Sequence, residues 1–215
     1  MSFQSTENMN YKRKGLSESF RIAFRALDLL SLIIKIAQSN ESSIRLNDLV
    51  LVELGPGPTR LHFLKKLLFR KVIFIDIMDY GIKDTSLIIH DISKGIPLPK
   101  ELSGYIGSTP NCKTIYMADH CLEHLPFDII LKFFKNYKGS FIFRVPNIRS
   151  LPGLEDFGRD PTHLTAFDDQ QLDEIKSVSD VNVIFWTRFY TMTLNIFFHR
   201  KESNLYDREL CMYEI

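Results

Sequence analysis

Residues 49–79 read LVLVELGPGPTRLHFLKKLLFRKVIFIDIMD, and this stretch decides the fold. It begins with the apolar run Leu49–Leu54, which is typical of a parallel β-strand that is covered on both faces. After a turn with two glycines, the leucines of residues 59–69 recur with the spacing of a helix. A second apolar run, residues 72–75, ends at Asp76. The stretch therefore predicts a strand, a helix and a second strand parallel to the first.

The turn after the first strand has the chemistry of a ligand site. Gly55 and Gly57 allow a sharp turn and let the backbone approach a ligand closely. The free N–H groups at the start of the following helix suit a carboxylate or a phosphate. Asp76 comes about 20 residues after the glycines, a spacing that dinucleotide-binding folds share, and its carboxylate can accept hydrogen bonds from both ribose hydroxyls. The stretch therefore predicts a nucleoside-containing cofactor.

The common phosphate-binding motifs do not match this turn. Arg60 stands where Gly-x-Gly-x-x-Gly needs its third glycine, and no Gly-Lys-Ser/Thr follows. Residues 53–59, Glu-x-Gly-x-Gly-x-Thr, resemble the first motif of class I S-adenosylmethionine-dependent methyltransferases, with Thr59 in place of a third glycine. The resemblance implies an α/β fold: a Rossmann-like, seven-stranded, mostly parallel sheet with helices on both faces and an antiparallel last strand. An ordinary turn of another α/β protein is the alternative.

Composition limits the class of protein. The chain has 215 residues, of which 45% are hydrophobic and 25% charged, as in a globular domain. A formal net charge of +1 argues against nucleic acid as the main partner. The three cysteines are odd in number and unpatterned, which indicates reduced thiols and a cytoplasmic location. We expect an N-terminal arm and helix over residues 1–40 and one methyltransferase domain over residues 41–215.

The N-terminal helix is predicted over residues 17–38, where one apolar stripe is interrupted by charges. The helix is too short and too charged to span a bilayer, so no integral membrane segment is expected. Its role is to cover the cofactor cleft or pack on the sheet, or to form the interface of a homodimer. A helix lying on a membrane surface is a further alternative.

The resemblance extends to a third strand, residues 86–90, which is followed by Asp91. In this family an Asp here faces the exocyclic amine of adenine, and Ile92 would lie beside the ring. A carboxylate that caps a turn is the alternative for Asp91. The implied cofactor is S-adenosylmethionine, and the residues that we expect to bind it are Glu53, Gly55, Gly57, Asp76, Ile77, Asp91, Ile92 and Asp119.

The fourth predicted strand, residues 113–118, runs into Asp-His-Cys-Leu-Glu-His-Leu-Pro at residues 119–126. Ligands of open parallel sheets bind at the carboxyl ends of such strands. The segment resembles the Leu-Glu-His stretch of small-molecule and sugar methyltransferases, and a structural role for His124 is the alternative. It also reads His-x-x-Glu-His, a zinc-peptidase pattern that needs a helix, for which there is little room. We assign no metal; a zinc hydrolase that uses His120 and His124 is the less favoured alternative.

The segment after the fifth predicted strand, residues 140–145, completes the expected site. Arg144 in this strand either binds an anionic substrate group or pairs with a core carboxylate. Residues 148–166 are predicted to form a long functional loop. Its Asp-Pro-Thr-His at residues 160–163 resembles a segment of methyltransferases from polysaccharide and natural-product pathways. His163 is a general base, a substrate ligand or a clamp on the loop. A helix over residues 168–177 follows, and then two closing strands over 180–187 and 191–199 that should pair antiparallel. The tail over residues 206–215 is left unplaced, with a short edge strand as the alternative.

The sequence thus predicts a methyltransferase that acts on a sugar, glycan or small-molecule hydroxyl in a biosynthetic pathway. His124 and His163 are the expected catalytic residues, because imidazole exchanges protons near neutral pH. The expected substrate-binding residues are His120, Arg144 and Arg159. A protein that keeps the fold but binds a partner without catalysis is the alternative.

Overall fold

The computed structural model describes residues 46–57, 62–79, 86–107, 113–137, 139–149, 151–179, 183–188 and 209–214. The predictions for residues 1–40 and for a strand over residues 191–199 lie outside these ranges, as do Thr59 and Arg60.

The elements follow the alternation of strands and helices that the sequence predicts. The strands are β1 (Leu49–Leu54), β2 (Lys71–Asp76), β3 (Leu87–Ile89), β4 (Lys113–Asp119), β5 (Ser140–Pro146), β6 (Val183–Arg188) and β7 (Glu209–Glu214). The α-helices in the described ranges are α1 (His62–Leu68), α2 (Ser103–Ile106), α3 (Phe127–Asn136), α4 (Leu151–Arg159) and α5 (Asp169–Val178). Short 3₁₀ turns lie at Leu46–Asp48, Ile92–Lys94 and Leu122–His124. None of the helices in the described ranges has the length and apolar character to cross a membrane.

The strands form one sheet in the order β3-β2-β1-β4-β5-β7-β6. Strands β1 to β5 pair in parallel, which confirms the predicted α/β fold with a parallel sheet. Strand β7 pairs antiparallel with both β5 and β6. The strand order reverses between β1 and β4, so the carboxyl ends of these two strands flank the crevice in which open α/β sheets bind ligands.

Alternating side chains of the central strands build a hydrophobic core on each face of the sheet. On one face Val52, Tyr116 and Phe143 pack against α3 and α5, with Phe133 and Ile175 among the helical residues. On the other face the buried residues are Leu49, Leu51, Phe69, Val72, Phe74, Ile115, Met117 and Ile142, with Leu68 of α1 packed against them. Because every residue of β1 is buried, the strand is apolar except for Glu53 near its end.

Two parts of the chain differ from the sequence-based expectation. The predicted loop over residues 148–166 contains the helix α4. The proline in its first turn does not prevent the helix, because the N–H group that proline lacks would have no partner within the helix at that position. The C-terminal tail contains β7, which is an inner strand of the sheet and not an edge strand, because it lies between β5 and β6.

The predicted leucine stripe of α1 also needs correction. Leu67 is 62% exposed, whereas His62 and Lys65 of the same helix are buried. The helix is turned this way because Lys65 pairs with a carboxylate inside the protein.

Candidate active site

The glycine turn after β1 has two glycines with different surroundings. Gly55 and Gly57 have φ values of +59° and +58°, in the left-handed region that glycine adopts without strain. A Cβ atom on Gly55 would lie 2.6 Å from Sγ of Cys121, whereas a Cβ on Gly57 would meet no atom of the described residues within 4 Å. Gly55 therefore permits close packing of the turn against the segment after β4, and no described residue crowds Gly57.

Asp76 ends β2 and closes the same turn. The Gly57 N–H donates to Asp76 Oδ2 and the Met78 N–H donates to Oδ1, both at 3.2 Å. Burial raises the pKa of the Asp76 carboxyl, and the backbone N–H donors oppose that shift. Ile77, the next residue, is 60% exposed. A carboxylate and an exposed apolar side chain are therefore adjacent at the tip of β2, beside the glycine turn.

Glu53 carries a buried negative charge behind the turn. Lys65 of α1 donates to Glu53 Oε1 at 2.5 Å, and both side chains are almost fully enclosed. The other carboxylate oxygen, Oε2, has no hydrogen-bond partner among the described residues. Burial raises the pKa of Glu53, and the Lys65 ammonium opposes the shift. Sequence reasoning missed Lys65. The signal for it was Glu53 itself, because a carboxylate in an otherwise apolar buried strand is costly unless a cationic side chain pairs with it.

Asp91 and Ile92 lie at the carboxyl end of β3. The N–H and the hydroxyl of Ser93 donate to Asp91 Oδ1 at 3.1 and 2.6 Å, so Asp91 caps the 3₁₀ turn Ile92–Lys94. The Ser93 hydroxyl is the main cause of a lowered pKa of Asp91. Ile92 is buried in the core rather than exposed. These contacts match the capping alternative for Asp91.

Asp119 and Arg144 are register neighbours at the ends of β4 and β5. Nε and Nη2 of Arg144 donate to the two carboxylate oxygens of Asp119, both at 2.7 Å. This geometry favours pairing with a carboxylate over substrate binding for Arg144. His120 follows with φ +52°, and its N–H donates to the Arg144 carbonyl at 2.9 Å. Arg159 is exposed at the end of α4 and pairs with Glu155.

The two histidine motifs of the sequence meet in space. The backbone carbonyl of Glu123 accepts hydrogen bonds from the N–H groups of Leu164 and Thr165, at 2.7 and 3.0 Å. These bonds fasten the segment after α4 to the 3₁₀ turn Leu122–His124. As a result, the ring centroids of His124 and His163 are 4.7 Å apart. The two predicted catalytic histidines therefore belong to one cluster at the carboxyl end of β4.

Solved structures share this architecture. A SAM-dependent methyltransferase from Archaeoglobus fulgidus is 18% identical, and the match covers 93% of this chain and 99% of that chain with a TM-score of 0.56. Magnesium protoporphyrin IX methyltransferase from Synechocystis, solved with bound SAM, is 12% identical over 99% of this chain and 93% of that chain, with a TM-score of 0.55. A methyltransferase from Clostridium acetobutylicum is 12% identical over 86% and 89%, with a TM-score of 0.54.

The chain has the fold of the SAM-dependent methyltransferases. No protein-family model matches its sequence. No curated protein is significantly similar to it. The fold is therefore recognised through the three-dimensional structure, and the site has to be argued from its own residues.

Within this methyltransferase fold five of the predicted site residues form two groups. Gly55, Gly57 and Asp76 meet at the turn after β1, and His124 and His163 meet after β4. The contact of Gly55 with Cys121 links the turn after β1 to the segment after β4. Sequence reasoning missed Glu123 as a site residue. Its side chain is 1% exposed, beside both histidines.

Proposed function

We propose that this protein is an S-adenosylmethionine-dependent methyltransferase that methylates a hydroxyl oxygen of a sugar, glycan or other small molecule. The observation that carries the proposal is the glycine turn. No described residue would contact a Cβ on Gly57, and the Asp76 carboxylate reaches the same turn from the neighbouring strand. Both lie at the switch point of a sheet whose fold is that of methyltransferases.

The residues present fit a nucleoside cofactor. Gly57 lets the backbone approach the ligand, and the Asp76 carboxylate accepts hydrogen bonds from ribose hydroxyls. Ile77 offers an exposed apolar surface to the adenine. Asp91 would exchange its bond to Ser93 for one to the adenine amine. The roles of Glu53, Ile92 and Asp119 as cofactor-binding residues stay predictions.

S-adenosylmethionine supplies a methyl carbon that its sulfonium has already activated, so the protein mainly aligns the reactants and excludes water. A hydroxyl acceptor must lose its proton as it attacks. We assign to His124 and His163 the task of helping that hydroxyl to lose its proton, because the two imidazoles cluster at the carboxyl end of β4. Arg159, which is exposed directly before residues 160–163, supports binding of a polar acceptor. His120 stays a predicted acceptor-binding residue, whereas the pairing of Arg144 with Asp119 favours the alternative role of Arg144 as the partner of a carboxylate.

Calorimetric titration tests the cofactor assignment. We expect micromolar binding of S-adenosylmethionine and S-adenosylhomocysteine to the purified full chain. Asp76→Ala should weaken that binding about tenfold or more, because a hydrogen bond to a charged group contributes about 1.5–3 kcal/mol. Asp128→Ala, on the exposed surface of α3, is the matched control and should bind as the wild type does. Folded wild-type protein that binds neither compound would sink the proposal and leave a non-catalytic member of the fold.

Three finer features of the proposal rest on the sequence. The odd number of unpatterned cysteines supports a cytoplasmic protein. The apolar stripe over residues 17–38 supports either a cover for the cofactor cleft or a homodimer interface. The resemblance of residues 160–163 to enzymes of polysaccharide pathways supports a glycan acceptor.

A further inference from the structure

Three side chains capable of binding a metal converge after β4. One ligand atom each from Glu123, His124 and His163 lies within 4.8 Å of the other two. Glu123 and His124 are held by the 3₁₀ turn Leu122–His124, and His163 is brought to them by the backbone bonds of Leu164 and Thr165 to the Glu123 carbonyl. The convergence is therefore fixed by the backbone and does not depend on mobile side chains.

Glu123 is the unusual member of this cluster. Its side chain is 1% exposed, and neither carboxylate oxygen has a hydrogen-bond partner among the described residues. Nδ1 of His120 lies 3.2 Å from Oε1, which is ion-pair distance when that imidazole is protonated, although the contact does not have the geometry of a hydrogen bond. A buried carboxylate without hydrogen bonds costs several kcal/mol of desolvation unless a cation compensates it. The side chain therefore points to a positively charged ligand.

Both imidazoles are oriented as metal-bound histidines usually are. Nδ1 of His124 lies 2.9 Å from the Thr162 hydroxyl, which in turn donates to Asp160 Oδ1 at 2.5 Å. Nδ1 of His163 lies 3.2 Å from the Phe157 carbonyl. A histidine that donates its Nδ1–H to such oxygens presents the lone pair of Nε2 to a metal. These contacts leave both Nε2 atoms available for coordination; Asp160 Oδ2 lies 3.9 Å from that of His163.

We propose that Glu123, His124 and His163 bind one divalent cation of the first transition series, such as Zn²⁺, Mn²⁺ or Fe²⁺. Two imidazoles and one carboxylate form a mixed nitrogen and oxygen donor set that these ions accept, whereas Mg²⁺ and Ca²⁺ prefer oxygen ligands alone. Three protein ligands leave further coordination positions open. The site differs from a His-x-x-Glu-His peptidase centre, because Glu123 is a ligand and His163 replaces His120.

The cation gives the histidines a defined task, and this part rests on the proposed function. A hydroxyl oxygen bound to a divalent cation would lose its proton to solvent water more readily than a free hydroxyl does, and the resulting alkoxide would attack the methyl carbon as the bond from that carbon to the sulfonium sulfur breaks. His124 and His163 then act on the acceptor as ligands of the cation and not as free bases. Cation binding itself does not depend on what reaction the protein performs.

The experiment is a calorimetric titration of chelator-treated full-length protein with MnCl₂ and ZnCl₂, with MgCl₂ for comparison. We expect one Mn²⁺ or Zn²⁺ per chain at micromolar Kd or tighter, and at least tenfold weaker Mg²⁺ binding. Glu123→Gln and His163→Ala should each weaken Zn²⁺ binding by about 10- to 100-fold or more. His90→Ala is the matched control, because His90 bonds the Gly95 carbonyl outside the cluster, and its affinity should stay within threefold of the wild type.

Thermal melting shows whether each variant is folded, so that a loss of cation binding is not confused with misfolding. Glu123→Gln should melt at least as high as the metal-free wild type, because the substitution replaces a buried carboxylate that accepts no hydrogen bond from the described residues, but Zn²⁺ should no longer raise its melting temperature. The proposal is overturned if the wild type binds neither Mn²⁺ nor Zn²⁺ below 100 μM. It is also overturned if His120→Ala abolishes binding while His163→Ala does not.

Titration of the same metal-free protein with S-adenosylhomocysteine separates the two proposals. If the protein binds S-adenosylhomocysteine but no cation, the metal-site proposal is overturned and the methyltransferase proposal is kept. If it binds a cation but no S-adenosylhomocysteine, the methyltransferase proposal is overturned and the metal-site proposal is kept.

Discussion

At the scale of single residues, the two glycines of the turn after β1 have separate reasons to be glycine. Both have positive φ values, which cost a residue with a Cβ about 1–2 kcal/mol. Only Gly55 also lacks room for a Cβ, because Cys121 Sγ would lie 2.6 Å away. The sequence motif does not distinguish the roles of the two glycines. The structure separates a packing requirement at Gly55 from an open approach at Gly57.

We therefore expect Gly55→Ala to lower the free energy of unfolding by about 3 kcal/mol and Gly57→Ala by about 1 kcal/mol. Urea denaturation of both variants measures the difference. In a Cys121→Ala background the cost of Gly55→Ala should fall, because the sulfur atom is gone, and the cost of Gly57→Ala should not change. Equal costs for the two glycine variants would contradict the assignment.

At the scale of elements, α5 has a complete capping box at its start. The Asp168 carboxylate accepts from the Gln170 N–H at 2.7 Å, and the Gln171 side chain accepts from the Asp168 N–H at 3.1 Å. Helix α5 packs its Leu172 and Ile175 into the core. The cap therefore fixes where the helix begins and which of its faces meets the sheet.

Asp168→Ala should lower the free energy of unfolding by about 1 kcal/mol, because the first turn loses an N–H acceptor. Asp173→Ala is the matched control, since Asp173 lies on the exposed face of the same helix and pairs with Lys176 of that helix. We expect its effect to stay within about 0.5 kcal/mol. Chemical denaturation of both variants distinguishes a cap from a general effect of charge.

Helix α4 shows where sequence patterns fail at this scale. We expected a loop over residues 148–166, but residues Leu151–Arg159 of this stretch form a helix that includes a proline and two glycines. The long predicted loop is instead a helix followed by a short segment that the Glu123 carbonyl holds in place. That hydrogen bond joins residues about 40 positions apart, and no local pattern indicates it.

At the scale of the whole molecule, burial of ionisable groups makes stability depend on pH. His62 of α1 lies against the Phe74 ring, and its Nε2 has no hydrogen-bond partner among the described residues. Burial, together with the charges of Lys65 and Lys66, lowers the pKa of His62 to about 4. In the unfolded chain an imidazole has a pKa near 6.5. Between these values the unfolded chain binds more protons, so the stability from neutral His62 is lost as the pH falls.

The free energy of unfolding of the wild type should therefore fall relative to that of His62→Leu between about pH 6.5 and pH 4. We expect a relative loss of about 1–2 kcal/mol, because solvent screens part of the shift. Denaturation of both proteins at each pH measures the difference, which cancels the opposing effect of Glu53 and Asp76, whose pKa values are raised. A difference that does not vary with pH would show that His62 is not held neutral.

The sequence by itself determined the parallel α/β fold and the glycine turn with its acid at the next strand. These features are local, because apolar runs, glycines and strand ends report their own surroundings. It also picked out His124 and His163, but as two separate landmarks.

Only the tertiary structure decided which side chains meet. It paired Lys65 with Glu53 and Arg144 with Asp119, and it placed a buried Glu123 beside both histidines. Apart from the neighbours Glu123 and His124, these contacts join residues that are separated in the chain, so they depend on sheet order, strand register and hydrogen bonds between loops. A charge buried inside the protein must find its partner in space, and a linear sequence does not state which residue that is.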